Sequence, residues 1–289
     1  MHKFAVVLAA SGLLTFSTLA SSESLVYDSF ESGDMSTTSA AGFRWSATKT
    51  TSVVTADTEV FVTSPVNRPA PEASRWEAKT GDHALMLRYN AGKSWTEQRF
   101  QFDAAQPEIW MSFWLRVPTN YTHPKVEGAG DNQKLFRLWM DAYGSKDGTM
   151  VGMSFRGDGK GGSYFFAKIA GGGDKGKVPF ISVPGDRSRW MHLVVHVDSE
   201  SFPGADDGLM EVWRKWEGDT DYTKTHDFKD QPIRLGSSVK GFKSGYLMGW
   251  ANAVYPVDTE FLLDDFELST TPLFSSSTAP SAPSGLSVR

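Results

Sequence analysis

Trp110-Met111-Ser112-Phe113-Trp114-Leu115-Arg116-Val117 places a residue destined for the core at every second position. A period of two is the period of a β-strand. Met111, Phe113, Leu115 and Val117 are therefore expected on a buried face, and Trp110, Ser112, Trp114 and Arg116 on the other. The pattern returns from Trp190 to Asp198, with Met191, Leu193, Val195 and Val197 inward and Trp190, His192, Val194 and His196 outward. Trp95 to Phe102, Leu135 to Met140, Tyr164 to Ile169, Leu209 to Trp216 and Tyr246 to Trp250 read as further strands. Gly157 to Gly162 and Gly171 to Gly176 are turns. Neither stretch has the glycine spacing of a phosphate cradle. Many short strands and no long helical period between residues 25 and 270 predict one all-β domain, a sandwich or jelly roll.

Composition narrows the function. The chain has 289 residues, a formal net charge of −5 and no cysteine. That excludes a disulfide scaffold, a thiolate metal site and a cysteine nucleophile, and it argues against a nucleic-acid partner. Phe, Trp and Tyr make up 13% of the chain, an excess that needs an explanation. Residues 1–20 read as a secretory signal: His2 and Lys3, an apolar stretch from Phe4 to Phe16, then Thr18-Leu19-Ala20. The stretch is too short to span a bilayer, so export and a secreted, monomeric product without membrane insertion are expected. The domain is expected over 21–273. From Phe274 a Ser/Pro-rich tail follows, and Pro283 to Val288 resembles the opening of a fibronectin type III domain.

The outward faces combine tryptophan with hydrogen-bonding residues. Trp95, Glu97, Arg99 and Gln101 share one face of their strand, and Gln133, Arg137 and Trp139 one face of the next, with Leu135 between. Indole faces suit the C–H surface of a pyranose, and Arg, Gln and Glu suit its hydroxyls and carboxylates. A second core layer under loops accounts for the same tryptophans without any sugar.

Two ends and one hairpin carry a resemblance. They are Tyr27-Asp28-Ser29-Phe30-Glu31-Ser32-Gly33-Asp34, Phe261-Leu262-Leu263-Asp264-Asp265-Phe266-Glu267-Leu268, and Arg189-Trp190-Met191-His192 followed by Asp207 to Trp213. Together they resemble the concanavalin A-like jelly-roll β-sandwiches that include polysaccharide lyases of the heparin lyase I and alginate lyase type. The resemblance implies β-elimination on a uronate-containing polysaccharide. Alginate lyases of this fold carry R-x-E-x-R, Q-x-H and Y-F-K-x-G strands. Glu97, Arg99, Gln133 and Tyr164 match them, whereas Trp95 replaces the first Arg and Leu135 replaces the His. Arg99, Gln133 and Arg137 are then expected to neutralise the uronate, with Tyr164 or His192 as base. Trp95, Glu97, Trp114, Lys134, Trp139, Lys168 and Trp250 are expected to line the groove.

Other chemistries are less well supplied. Hydrolysis needs two carboxylates flanking the scissile bond, and no E-x-D-x-x-E strand is present. No G-x-S-x-G elbow occurs. If the first and last strands pair, Asp28, Glu31, Asp264 and Asp265 become neighbours, an oxygen set suited to a structural Ca²⁺. A noncatalytic lectin-like module is the alternative to a lyase, and a structural surface protein is a third reading.

Overall fold

A computed structural model of the protein describes residues 24–58, 76–125, 130–140, 150–169, 172–234 and 240–274. The expected signal at 1–20 and the tail beyond Phe274 lie outside them. The described residues form β-strands and no helix. In chain order the strands are β1 (Ser24–Asp28), β2 (Arg44–Lys49), β3 (Thr51–Val54), β4 (Ala84–Tyr89), β5 (Trp95–Gln106), β6 (Glu108–Arg116), β7 (Gln133–Trp139) and β8 (Met150–Gly157). They continue with β9 (Ser163–Ile169), β10 (Lys175–Ile181), β11 (Trp190–Asp198), β12 (Gly208–Trp216), β13 (Thr223–Gln231), β14 (Phe242–Trp250) and β15 (Thr259–Ser269).

Two antiparallel sheets stack as the expected jelly-roll sandwich. The eight-stranded sheet runs β13-β12-β11-β6-β15-β4-β3, with β1 also on β15. The seven-stranded sheet runs β10-β9-β8-β7-β14-β5-β2. The first and last strands pair as anticipated, with Val26 opposite Leu268 and Asp28 opposite Phe266. Met111, Phe113, Leu115 and Val117 join Met191, Leu193, Val195 and Val197 in the core between the sheets. Removing a ring as buried as Phe113 would cost roughly 3–5 kcal/mol. At one end Phe30, Phe43, Trp45, Phe100 and Phe266 pack ring to ring. Asp28 lies buried beside them and accepts from Trp45 Nε1 at 2.7 Å and from the Phe30 amide at 2.8 Å.

The outer face of the larger sheet is also covered. Trp110, Val194 and Trp213 pack with Tyr222, Leu273 and Phe274. Trp76, Trp190, Met86 and Leu262 form a second cluster with Trp114 against it. The packed domain thus runs through Phe274, a residue that its composition assigns to the tail. On this sheet the outward tryptophans are a second core layer.

Two local features move residues from where simple alternation puts them. The register of β7 against β8 slips between Lys134 and Phe136. Such a bulge inserts one residue and flips the parity beyond it. Lys134, Arg137 and Trp139 therefore share the outer face, while Leu135 is buried in the core and Gln133 is fully buried. The strands β5 and β7 are also not neighbours, because β14 lies between them.

Candidate functional site

The outer face of the smaller sheet carries the site. Register across five strands sets Arg99 (β5), Tyr246 (β14), Arg137 (β7), Gly152 (β8) and Lys168 (β9) in one row. Tyr246 is thus flanked by an arginine on either side, where strands stand about 4.8 Å apart. Along one side Lys134 and Ser154 are register partners with Gly249 beside Lys134, and Glu97 stands opposite Met248, the residue before that glycine. Along the other lie Gln101, Ser244 and Trp139.

Small residues keep the floor low. A methyl group on Gly249 would come within 2.8 Å of the Tyr246 ring and 3.2 Å of Lys134 Cβ, so the two side chains converge over that glycine. Gly249 also has φ near +149°, following Met248 at +57°, a kink that an L-residue would resist. The Arg137 guanidinium lies on the sheet. Its Nη1 donates to Phe136 O at 2.8 Å and Met153 O at 2.7 Å, and its Nη2 to Ser154 Oγ at 2.7 Å.

The charges divide along the groove. Arg99 pairs with Glu97, which also accepts from Trp95 Nε1 at 3.2 Å. On the far side Asp174 holds both Arg156 at 3.0 Å and Lys168 at 2.8 Å. In the centre, Lys134 and Arg137 have no carboxylate within ion-pair distance among the described residues. Burial, followed by the charge of Arg137, pulls the Lys134 ammonium down to about 8. Burial likewise lowers Arg137. Two cations whose protonated forms burial disfavours, with no carboxylate beside them among the described residues, make a site that an anion would relieve.

Of the residues expected to do chemistry, Arg99 and Arg137 are brought together, with Lys134 beside them. Trp139 borders them, and Lys168 closes the row. Trp95 and Trp250 are register partners at one end of the groove, Trp250 half exposed. Lys49 and Arg99 stand over the Trp95 ring at 5.7 and 5.9 Å.

The other expectations are corrected. Gln133 is turned to the core ring Tyr255, whose hydroxyl donates to its Oε1 at 2.6 Å. Tyr164 lies on the right face, yet two strands and four residues from Arg137, roughly 16 Å by strand geometry. Its ring is covered by Lys177 at 4.0 Å. His192 and Trp114 belong to the other sheet and face away from the groove. His192 Nδ1 meets Tyr222 Oη at 2.5 Å and is held down to about 4 by burial, then by Lys215. Trp114 lies under Lys79 at 4.7 Å. Tyr246 is the residue that alternation alone does not single out. Its signal is the glycine on either side, Gly245 and Gly249, since glycine inside a strand marks close approach.

The expected oxygen set for calcium is not assembled. Asp28 is committed to Trp45 and Phe30. Glu31 accepts from the amides of Asp82 and His83 at 3.0 and 2.9 Å. Asp264 accepts from the amides of Lys79, Thr80 and Asp265. Asp265 accepts from Tyr27 Oη at 2.6 Å and Thr80 Oγ1 at 2.9 Å. No cluster of three or more His, Asp or Glu side chains suited to a metal occurs among the described residues. Glu31, Asp264 and Asp265 instead pin residues 79–83 to the strand ends, Asp28 serves the aromatic cluster, and the four do not fit a shared cation.

No family model and no curated protein matches the chain. Solved structures are similar to it at low identity. An alginate lyase, vAL-1 from a Chlorella virus, is 12% identical with a TM-score of 0.44, covering 79% of this chain and 93% of that one. A botulinum neurotoxin serotype G binding domain is 10% identical with a TM-score of 0.48, covering 89% and 50%. A xylan β-1,4-xylosidase from Bacillus halodurans C-125 is 12% identical with a TM-score of 0.41, covering 64% and 32%. This chain therefore spans about half of the neurotoxin chain and a third of the xylosidase. At these identities the likeness extends to the β-sandwich fold alone.

Proposed function

We propose that the groove binds a uronate-containing polysaccharide and cleaves it by β-elimination. The carrying observation is the pair Lys134 and Arg137, two cations without a carboxylate partner among the described residues, beside the Tyr246 phenol on a glycine floor. A sugar carboxylate seated on Lys134 and Arg137 has its charge neutralised, and that acidifies the proton on the adjacent C5. Arg99 flanks the same position from the other strand. Tyr246, in its phenolate form, takes the C5 proton. The C4–O bond then breaks as the C4=C5 double bond forms, and the phenol returns that proton to the leaving glycosidic oxygen. Trp95, Trp250 and Trp139 offer ring faces for the neighbouring sugars. Export as a monomer, with removal of residues 1–20, belongs to the same reading.

A binding-only module is the second reading, and one observation favours it: three Arg137 hydrogen bonds are spent on the sheet itself. Incubation with alginate, glucuronan, pectate and heparin separates the two. A rise in ultraviolet absorbance from unsaturated uronates is expected on at least one of them. Retention on these glycans with no absorbance change would leave binding alone.

A further inference from the structure

A hollow of about 470 Å³ opens beside the groove centre, lined by Arg44, Arg99, Gln101, Lys243 and Ser244. Arg99 belongs to both, as register partner of Tyr246 and as a wall of the hollow. Ser244 Oγ is buried there with no hydrogen-bond partner among the described residues, and an orphaned buried hydroxyl calls for one. Lys243 is exposed and makes no ion pair among the described residues. Arg44 meets Asp103 at 2.5 Å in a solvent-exposed pair, and its Nε and Nη2 donate to the Gln101 side-chain oxygen at 2.6 and 2.5 Å, which leaves its charge at the wall of the hollow. Among the described residues Asp103 pairs with Arg44 and Glu97 with Arg99, and Lys243 is left without a carboxylate. Ser244 in the hollow lies one strand and two residues from Arg137, about 8 Å, a span that a short oligosaccharide covers.

From this arrangement we propose that the hollow is a second anion subsite, receiving the carboxylate of another sugar unit of the chain held at Tyr246. It rests on the reading of the groove as a polyuronate site, and it sets the substrate class. The preferred ligand carries at least two carboxylates, one at Lys134 and Arg137 and one at Lys243 and Ser244. Arg44 and Lys243 supply charge, and Ser244 Oγ donates a hydrogen bond.

Calorimetric titration of Tyr246→Phe protein, which keeps the ligand intact, tests this with two oligouronates of equal length. One is fully charged; the other has every carboxyl but one reduced to a hydroxymethyl group. Lys243→Gln should weaken binding of the charged oligomer about fivefold to tenfold, the range of one charge-assisted contact at a partly wet site. It should leave the reduced oligomer unaffected. Ser244→Ala should shift the same ligand in the same direction, and Lys160→Gln, at the opposite end of the sandwich, should shift neither. Equal affinities for Lys243→Gln and its parent on the charged oligomer, or equal loss on both oligomers, would overturn the subsite. Should the wild type bind in this Lys243-dependent way yet release no unsaturated product, the elimination chemistry falls and the subsite stands.

Discussion

Arg137 and Gly152 are register partners, and the arginine side chain occupies the space that a side chain on the glycine would need. A methyl group at 152 would sit 2.8 Å from Arg137 Cδ and 2.1 Å from the Phe136 carbonyl oxygen. The absence of a side chain on β8 is therefore what lets a guanidinium lie flat across the sheet, with two carbonyls and a serine hydroxyl as acceptors. Gly152→Ala should lower stability by about 1–3 kcal/mol, the usual cost of overpacking. It should also weaken polyuronate binding beyond what the remaining folded fraction explains. Denaturant melts combined with titration of the folded protein check both parts.

Lys134 gives the groove a pH dependence at its alkaline edge. Its ammonium is held down to about 8, so affinity for an anion should fall as pH rises through that value. Lys134→Gln should start weaker and lose this step, as titrations from pH 7 to 9.5 would reveal. The same group acts on stability with a defined sign. Between about 8 and 10.5 the unfolded chain holds more protons at this position than the native one, so its contribution to stability rises with pH across that window.

His192 and His226 are both held down to about 4, chiefly by burial. Each is neutral in the native state and charged in the unfolded chain below about 6.5. Stability should therefore fall as pH drops from 6.5 towards 4. Glu211, lowered to about 2 by bonds from His196 and Lys224 that outweigh its burial, adds a further loss from about 4.5 downwards. His192→Gln keeps a hydrogen-bonding group for Tyr222 and should flatten the upper part of this profile without changing groove binding. Denaturant midpoints at pH 7 and pH 5 decide it.

The Asp264 carboxylate holds residues 79 and 80 through their amides at 2.8 and 3.0 Å. Asp264→Ala should destabilise the fold by about 1–2 kcal/mol, because three part-buried amides lose their acceptor. Chelation with EDTA should leave the Tm of the wild-type protein unchanged. A chelator-sensitive Tm would restore a calcium role to this end of the sandwich.

The fold was legible because period-2 alternation survives in β6 and β11, where each inward residue reached the core. Alternation reports parity within one strand, however, and is silent about which sheet the strand joins. Trp114 and His192 therefore read like Trp95 and Arg99 although they face away from them. A single bulged residue at Leu135 was enough to move Gln133 off the face of Arg137 and to put Lys134 onto it. The pairing of β14 between β5 and β7 is a long-range contact with no local signature, and it is this contact that delivers Tyr246 between the arginines. The aromatic excess divides by face: tryptophans on the outer face of the larger sheet form a second packed layer, Trp45 fills the core between the sheets, and Trp95, Trp139 and Trp250 border the groove.

Tyr246 is the point on which the proposed chemistry turns, and one comparison tests it directly. Wild-type protein and Tyr246→Phe would be incubated with the polyuronate that binds best, following the ultraviolet absorbance of unsaturated uronate ends. The wild type should produce a steady rise, and Tyr246→Phe essentially none while binding the same polymer with comparable affinity. A rise from Tyr246→Phe at the wild-type rate, or no rise from wild-type protein that binds the polymer, would contradict elimination at this phenol.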